Sequence, residues 1–127
     1  MKKLLSTLLI IICCYGCEKK STNPSSSLVG NWSWIISCGG FAGCSTPESA
    51  HSTSKLVFIA DSICNVYRND SLILSTRFHV NRIVSAETKE TLNVLTYDDR
   101  SQEFSIKNDT LIISSWGIFY SKYKKIN

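Results

Sequence analysis

The chain has 127 residues, with 14 Lys and Arg against 10 Asp and Glu and a net charge of +4 when histidine is neutral. That length allows about one small domain. No stripe of basic residues interleaved with aromatics argues for nucleic acid, and no apolar run reaches the roughly 20 residues a spanning helix needs.

Lys2 and Lys3 precede a short apolar run, Leu4 to Ile12, and the chain turns charged at Glu18-Lys19-Lys20. A basic start followed by a short apolar segment has the form of a secretory signal. Gly16-Cys17, which ends this segment, resembles the lipobox of bacterial lipoproteins, with Cys14 standing where that family prefers Leu. The resemblance implies cleavage before Cys17 and a diacylglyceryl group on its sulfur. It thus implies export and a lipid anchor in the cell envelope. The absence of Asp after Cys17 implies sorting to the outer membrane. One acyl chain binds a membrane only marginally, whereas two or three hold a protein stably. Cleavage there would remove two lysines and no acid, leaving twelve basic side chains against ten acidic, a net +2.

The expected organisation is therefore a signal peptide over residues 1–16, a lipidated cysteine and flexible tether over 17–27, and one domain over 28–127. The tether assignment rests on Ser21 to Ser27, which is polar and Ser-rich without apolar periodicity. A domain this short buries a modest core, so a covalent staple would help it.

The domain shows almost no helix signals. Eight strands are predicted, at about Gly30–Ser37, Lys55–Ala60, Ile63–Arg68, Leu72–Ile83, Leu92–Tyr97, Gln102–Ile106, Thr110–Ser114 and Ile118–Lys125. Leu72, Leu74, Thr76, Phe78 and Val80 alternate with Ser71, Ile73, Ser75, Arg77 and His79, the period of a half-buried strand. Most connections are short and rich in Asp, Asn, Ser and Gly, which forces neighbouring strands to run antiparallel. Only Cys38 to Ser54 is long, and the polar Val84 to Thr91 is intermediate. Eight meandering strands with one apolar face remove their edges by closing, so the expected fold is all-β, an eight-stranded antiparallel up-and-down barrel.

Gly30-Asn31-Trp32 opens the first strand, in the stretch "LVGNWSWIISCGGFAGCSTP". With the strand "KLVFIAD" and the closing strand "FYSKYKKI", it resembles small lipocalin-like bacterial lipoproteins, which carry a G-x-W motif and a Gly-rich first loop. The resemblance covers most of residues 28–127 and implies that Gly30 and Trp32 close one barrel end. It also implies a basic residue of the last strand stacked on Trp32, here Lys122 or Lys124. The T-D-Y motif of larger lipocalins is not found.

Cys38-Gly39-Gly40-Phe41-Ala42-Gly43-Cys44 is a tight Gly-rich loop. An exported compartment permits disulfides, and such a loop can bring two Cα atoms within bridging range. A Cys38–Cys44 bridge is the favoured pairing, with Cys64 paired to either cysteine as the rival. Unpaired, Cys64 reads as a small buried hydrophobe. Cys38, Cys44, His51 and His79 lack the paired spacing of structural zinc, so no metal is expected. Nothing lowers a thiol pKa beside His51 for nucleophilic chemistry. The glycines precede a polar loop and not a helix start, which argues against a phosphate cradle. Asp98, Asp99 and Asp109 read as turn residues.

No nucleophile–base–orienter set is visible, so neither enzymatic activity nor a cofactor is expected. Two functions remain. A lipid-anchored barrel could hold a small apolar ligand or lipid in its mouth or interior, among Phe41, Phe58, Leu74, Phe78, Phe104 and Phe119. Alternatively a solid barrel could dock an envelope protein through its loops, with Phe41, Trp116 and Tyr120 as anchors. The Lys122, Lys124, Lys125 cluster reads as a solvated face or a contact with anionic lipid.

Overall fold

In the computed structural model, residues 23–115 and 117–127 are described, and their turn chemistry sets the topology. Asn69-Asp70, Asp98-Asp99 and Asn108-Asp109 each place both residues at positive φ, between 48° and 63°. Two consecutive left-handed residues make the two-residue turn that matches strand twist, and Asn and Asp tolerate that region best after Gly. Each pair therefore reverses the chain into a hairpin.

Nine strands result among the described residues: β1 (Gly30–Gly39), β2 (Cys44–Ser45), β3 (Ser54–Ile59), β4 (Ile63–Arg68), β5 (Ser71–Val84), β6 (Thr91–Tyr97), β7 (Arg100–Lys107), β8 (Thr110–Ser115) and β9 (Phe119–Ile126). All described pairings are antiparallel. β1, β3 and their successors follow chain order around the sheet, and β1 pairs with β9 from Asn31↔Ile126 to Gly39↔Phe119. The eight long strands thus close into an up-and-down barrel, as the sequence predicts, and the two-residue β2 adds to the upper edge of β1. β5 serves two neighbours, pairing β4 through Ser71–Arg77 and β6 through Phe78–Val84.

The two ends of the barrel are built differently. At one end Leu28, Trp32, Leu56, Phe58, Cys64, Phe78, Leu95, Phe104, Leu111 and Ile113 fill the interior. Phe58 and Phe78 meet edge to face at 5.1 Å, an arrangement that the ring quadrupoles favour. A short helix, α1 (Pro24–Leu28), closes this end. Asn23 caps α1 by accepting a bond from the Ser25 N–H, and Pro24 stands at its first turn, where a missing N–H costs nothing. Leu28 is fully buried and its carbonyl accepts the Trp32 Nε1–H at 2.7 Å. Asn23 to Ser27, expected as flexible tether, is thus the cap and helix that carry the plug. The composition suggested a linker because the signal lies in an Asn-Pro cap and one leucine, not in periodicity. Cys17 and the rest of the predicted tether and signal peptide lie outside the described residues.

Two irregularities turn strands over. In β1 the register shifts between Trp34 and Ile36, and in the β4–β5 pair it shifts between Val66 and Tyr67. The extra residues are Ile35 and Ile73, and each bulge moves the following side chains to the opposite face. Leu72, predicted inward with Leu74, accordingly points out and is 54 % exposed.

Candidate functional site

The end opposite α1 is a polar, open mouth. Trp34, Ser37, Ala50, Ser52, Ser54, Arg68 and Tyr123 line a cavity there of about 400 Å³. Register explains the set. Trp34 pairs with Tyr123 and Ser54 with Arg68, so each pair shares the inward face. Beyond the Ile35 bulge it is Ser37, and not Ile36, that faces inward beside Ser121.

Hydrogen bonds hold the walls. The Trp34 Nε1–H donates to Ser37 Oγ at 2.8 Å, and Ser37 Oγ and Ser121 Oγ lie 2.6 Å apart. Gln102 Nε2 donates to Ser115 Oγ. Burial, with the neighbouring Tyr97 adding to it, pushes the Tyr123 phenol well above its ordinary range, while a bond to Ser121 pulls it back slightly. Burial also raises the Tyr97 phenol. Both phenols are therefore neutral at physiological pH and serve as donors and acceptors. Arg68 is the one charged lining residue among the described residues.

One wall comes from the long first connection. Thr46 caps α2 (Pro47–Ala50) with a reciprocal pair, its hydroxyl accepting from the Ser49 N–H and its own N–H donating to Ser49 Oγ. α2 ends at His51 in the left-handed conformation, φ 49°, and the chain continues past Ser52 into β3. This brief helix sets Ala50 and Ser52 on the rim.

The disulfide is present, Cys38 to Cys44, with the Cα atoms 4.0 Å apart. It ties β2 to β1 on the outer face beside the mouth, and Gly40–Ala42 form a 3₁₀ turn between the two cysteines. Gly39 must be glycine: a Cβ there would meet the Ile118 carbonyl oxygen at 2.5 Å and Phe119 Cα at 2.8 Å. Cys64 is unpaired and buried, and burial raises its thiol pKa to about 12.

The predicted site residues divide. Phe58, Phe78 and Phe104 are buried in the filled half and do not line the mouth cavity, and Leu74 is half-buried. The interior ligand site expected among these residues is therefore occupied by their own side chains. Phe41 stands fully in solvent, and Phe119 is 52 % exposed with its ring over Gly39 and Gly40. Both belong to the disulfide loop's rim and neither lines the central cavity. Trp32 is fully buried in the filled half, and the basic residue over its ring is Lys125, 5.4 Å away, not Lys122 or Lys124. Lys125 is the register partner of Trp32 and folds across the same end, whereas Lys122 stacks on Tyr120. Trp116 lies outside the described residues. His79 is exposed, and no group of three His, Cys, Asp or Glu suited to a metal ion occurs among the described residues.

Trp34, Ser54, Arg68 and Tyr123 were not singled out from sequence. Parity along β4 was the available signal for Arg68: Cys64 and Val66 face inward, and Arg68 is the next residue in phase. No family model, curated protein or solved structure matches the chain.

Proposed function

We propose that the chain is a lipid-anchored envelope lipoprotein of lipocalin-like architecture, exported by its N-terminal signal, anchored through acylated Cys17 and sorted to the outer membrane, and that its barrel takes a small ligand into the mouth. The observation that carries the ligand reading is the cavity at that mouth. Its volume, about 400 Å³, lies within the range of small-molecule sites, which pair apolar walls with a few placed polar groups. Here Trp34, Tyr123 and Ala50 supply the apolar surface, and serine hydroxyls with Arg68 supply the polar groups. The filled floor limits the ligand to this upper half, so a short amphiphilic molecule fits better than a long apolar one. Lipobox, tether and barrel then have one logic: an anchor keeps a binding cup at the membrane.

The test is native mass spectrometry of the protein released gently from its host's membranes. The expected spectrum shows acyl mass on Cys17 and a reproducible small-molecule adduct lost on denaturation. An unmodified Cys17 would remove the anchor. A bare polypeptide mass in every preparation would remove the ligand.

A second reading has its own observation. Phe41 projects wholly into solvent from a loop pinned by the disulfide, beside exposed Ile118 and Phe119. Such a fixed aromatic suits docking on an envelope protein. Phe41→Ser would abolish that contact while leaving the mouth intact.

A further inference from the structure

We infer that the mouth selects small amphiphiles with an anionic head, a carboxylate or phosphate, and that Arg68 determines this specificity. The inference rests on the ligand-binding reading above and adds the charge of the ligand.

The argument starts from the lining. Among the described residues Arg68 is its one charged member, and no carboxylate of those residues lines the cavity with it. The acidic residues of the mouth turns face elsewhere. Asp70 lines a separate recess with Lys55 and Tyr67, and Asp98 and Asp99 line another with Arg77 and His79. Glu48 stands exposed in the first turn of α2, where hydrogen bonding to its backbone N–H and the Thr46 hydroxyl lowers its pKa, and it is not a lining residue of the cavity. The cavity is therefore cationic without an internal counterion.

Geometry supplies the remaining features. Arg68 is the last residue of β4 and shares the inward face with its partner Ser54. Ser52 stands on the adjoining rim. A guanidinium presents a planar fork that matches two oxygens of a carboxylate or phosphate, and flanking hydroxyls add further donors. Deeper in the cup the walls change character. Trp34 is held by its bond to Ser37, and Tyr123 lies beside it as its register partner on β9. One aromatic wall of two side chains below a cationic rim fits a molecule with a flat or short apolar body and one anionic head. A cationic ligand would meet Arg68 with no compensating carboxylate.

The test uses the full chain in nonionic detergent and isothermal titration calorimetry, with detergent-only titrations subtracted. The probes share one body and differ in head: 2-naphthoate, 2-naphthyl phosphate, 2-naphthylmethanol and 2-naphthylmethylammonium. Both anions are expected to bind at least about tenfold tighter than the alcohol, the size of a charge-assisted hydrogen bond, with the ammonium weakest. Arg68→Leu should reduce the anions to the alcohol's affinity and leave the alcohol unchanged, and Arg68→Lys should recover part of the loss. Arg68 ends a strand at the exposed rim, so circular dichroism should show both variants folded. Ser52→Trp should block every probe. Equal binding of anion and alcohol, or preference for the ammonium, overturns the anionic assignment and leaves the mouth site standing. Binding by no probe overturns both.

Discussion

Leu28 offers the sharpest test of where the folded domain begins. Read from composition, residues 23–27 belong to a solvated linker and Leu28 opens the domain as one residue among many. In the fold it is the plug of the closed end, fully buried, with its carbonyl fixed by Trp32. Leu28→Ala removes three carbons from a site with no exposure. At about 0.8 kcal/mol per buried methylene the transfer cost alone is about 2.4 kcal/mol. Trp32 and the phenylalanines below it are held by the barrel wall and collapse poorly into the gap, which adds a cavity cost and brings the total to about 2–5 kcal/mol. For a domain of this size the transfer term alone lowers Tm by roughly 10–20 °C. Equilibrium urea unfolding should show a lower midpoint with an unchanged slope, because the folded surface hardly changes. A loss below about 0.5 kcal/mol would mean that α1 does not seal the barrel, and the account of the closed end would fail.

Other consequences follow from single features. Replacing both Cys38 and Cys44 by Ser should cost about 2 kcal/mol of stability in the chain-entropy picture for so short a loop, read as a fall in urea midpoint that a reducing agent reproduces in the parent protein. Asp99 sits at φ 56°, so Asp99→Val should destabilise by about 1–2 kcal/mol because a β-branched residue strains there, while Asp99→Gly should not destabilise. Cys64 should resist alkylation in the native protein and react in urea. Its folded pKa, raised to about 12 from 9.0, makes the unfolded chain lose this proton first. Its contribution is thus complete below about pH 9 and is lost as pH rises towards 12, with Tyr97 and Tyr123 adding losses in the same direction from about pH 10 upward. An alkaline titration of stability on Cys64→Ala should show a smaller decline.

Much of the fold was legible because its rules are local. Asx-rich pairs between apolar runs marked the hairpins, and a period of two marked the strands. The tight Gly loop marked the disulfide. The mouth was harder, since its members come from β1, β3, β4, β9 and the α2 connection and meet only through closure. Lys125 illustrates the same limit. A family pattern places a basic residue on the last strand, but which lysine reaches Trp32 depends on register, and the register depends on the β1 bulge.

That bulge also explains why a mouth exists at all. With unbroken alternation Trp32, Trp34, Ile36 and Cys38 would all face inward, and the β1 wall would be apolar from end to end. The shift at Ile35 turns Ile36 outward and substitutes Ser37 for it on the inner face. Ile73 does the same on the other wall: it leaves Leu74 inside and turns Leu72 out, so no large side chain of β5 reaches the rim from within. Each bulge turns outward one large apolar side chain that unbroken alternation would keep inside, Ile36 in β1 and Leu72 in β5, with an unfavourable hydration cost. A barrel selected for stability alone would keep those side chains inside. The arrangement is intelligible if the upper half must stay polar and open, which is the physical ground for placing the ligand there.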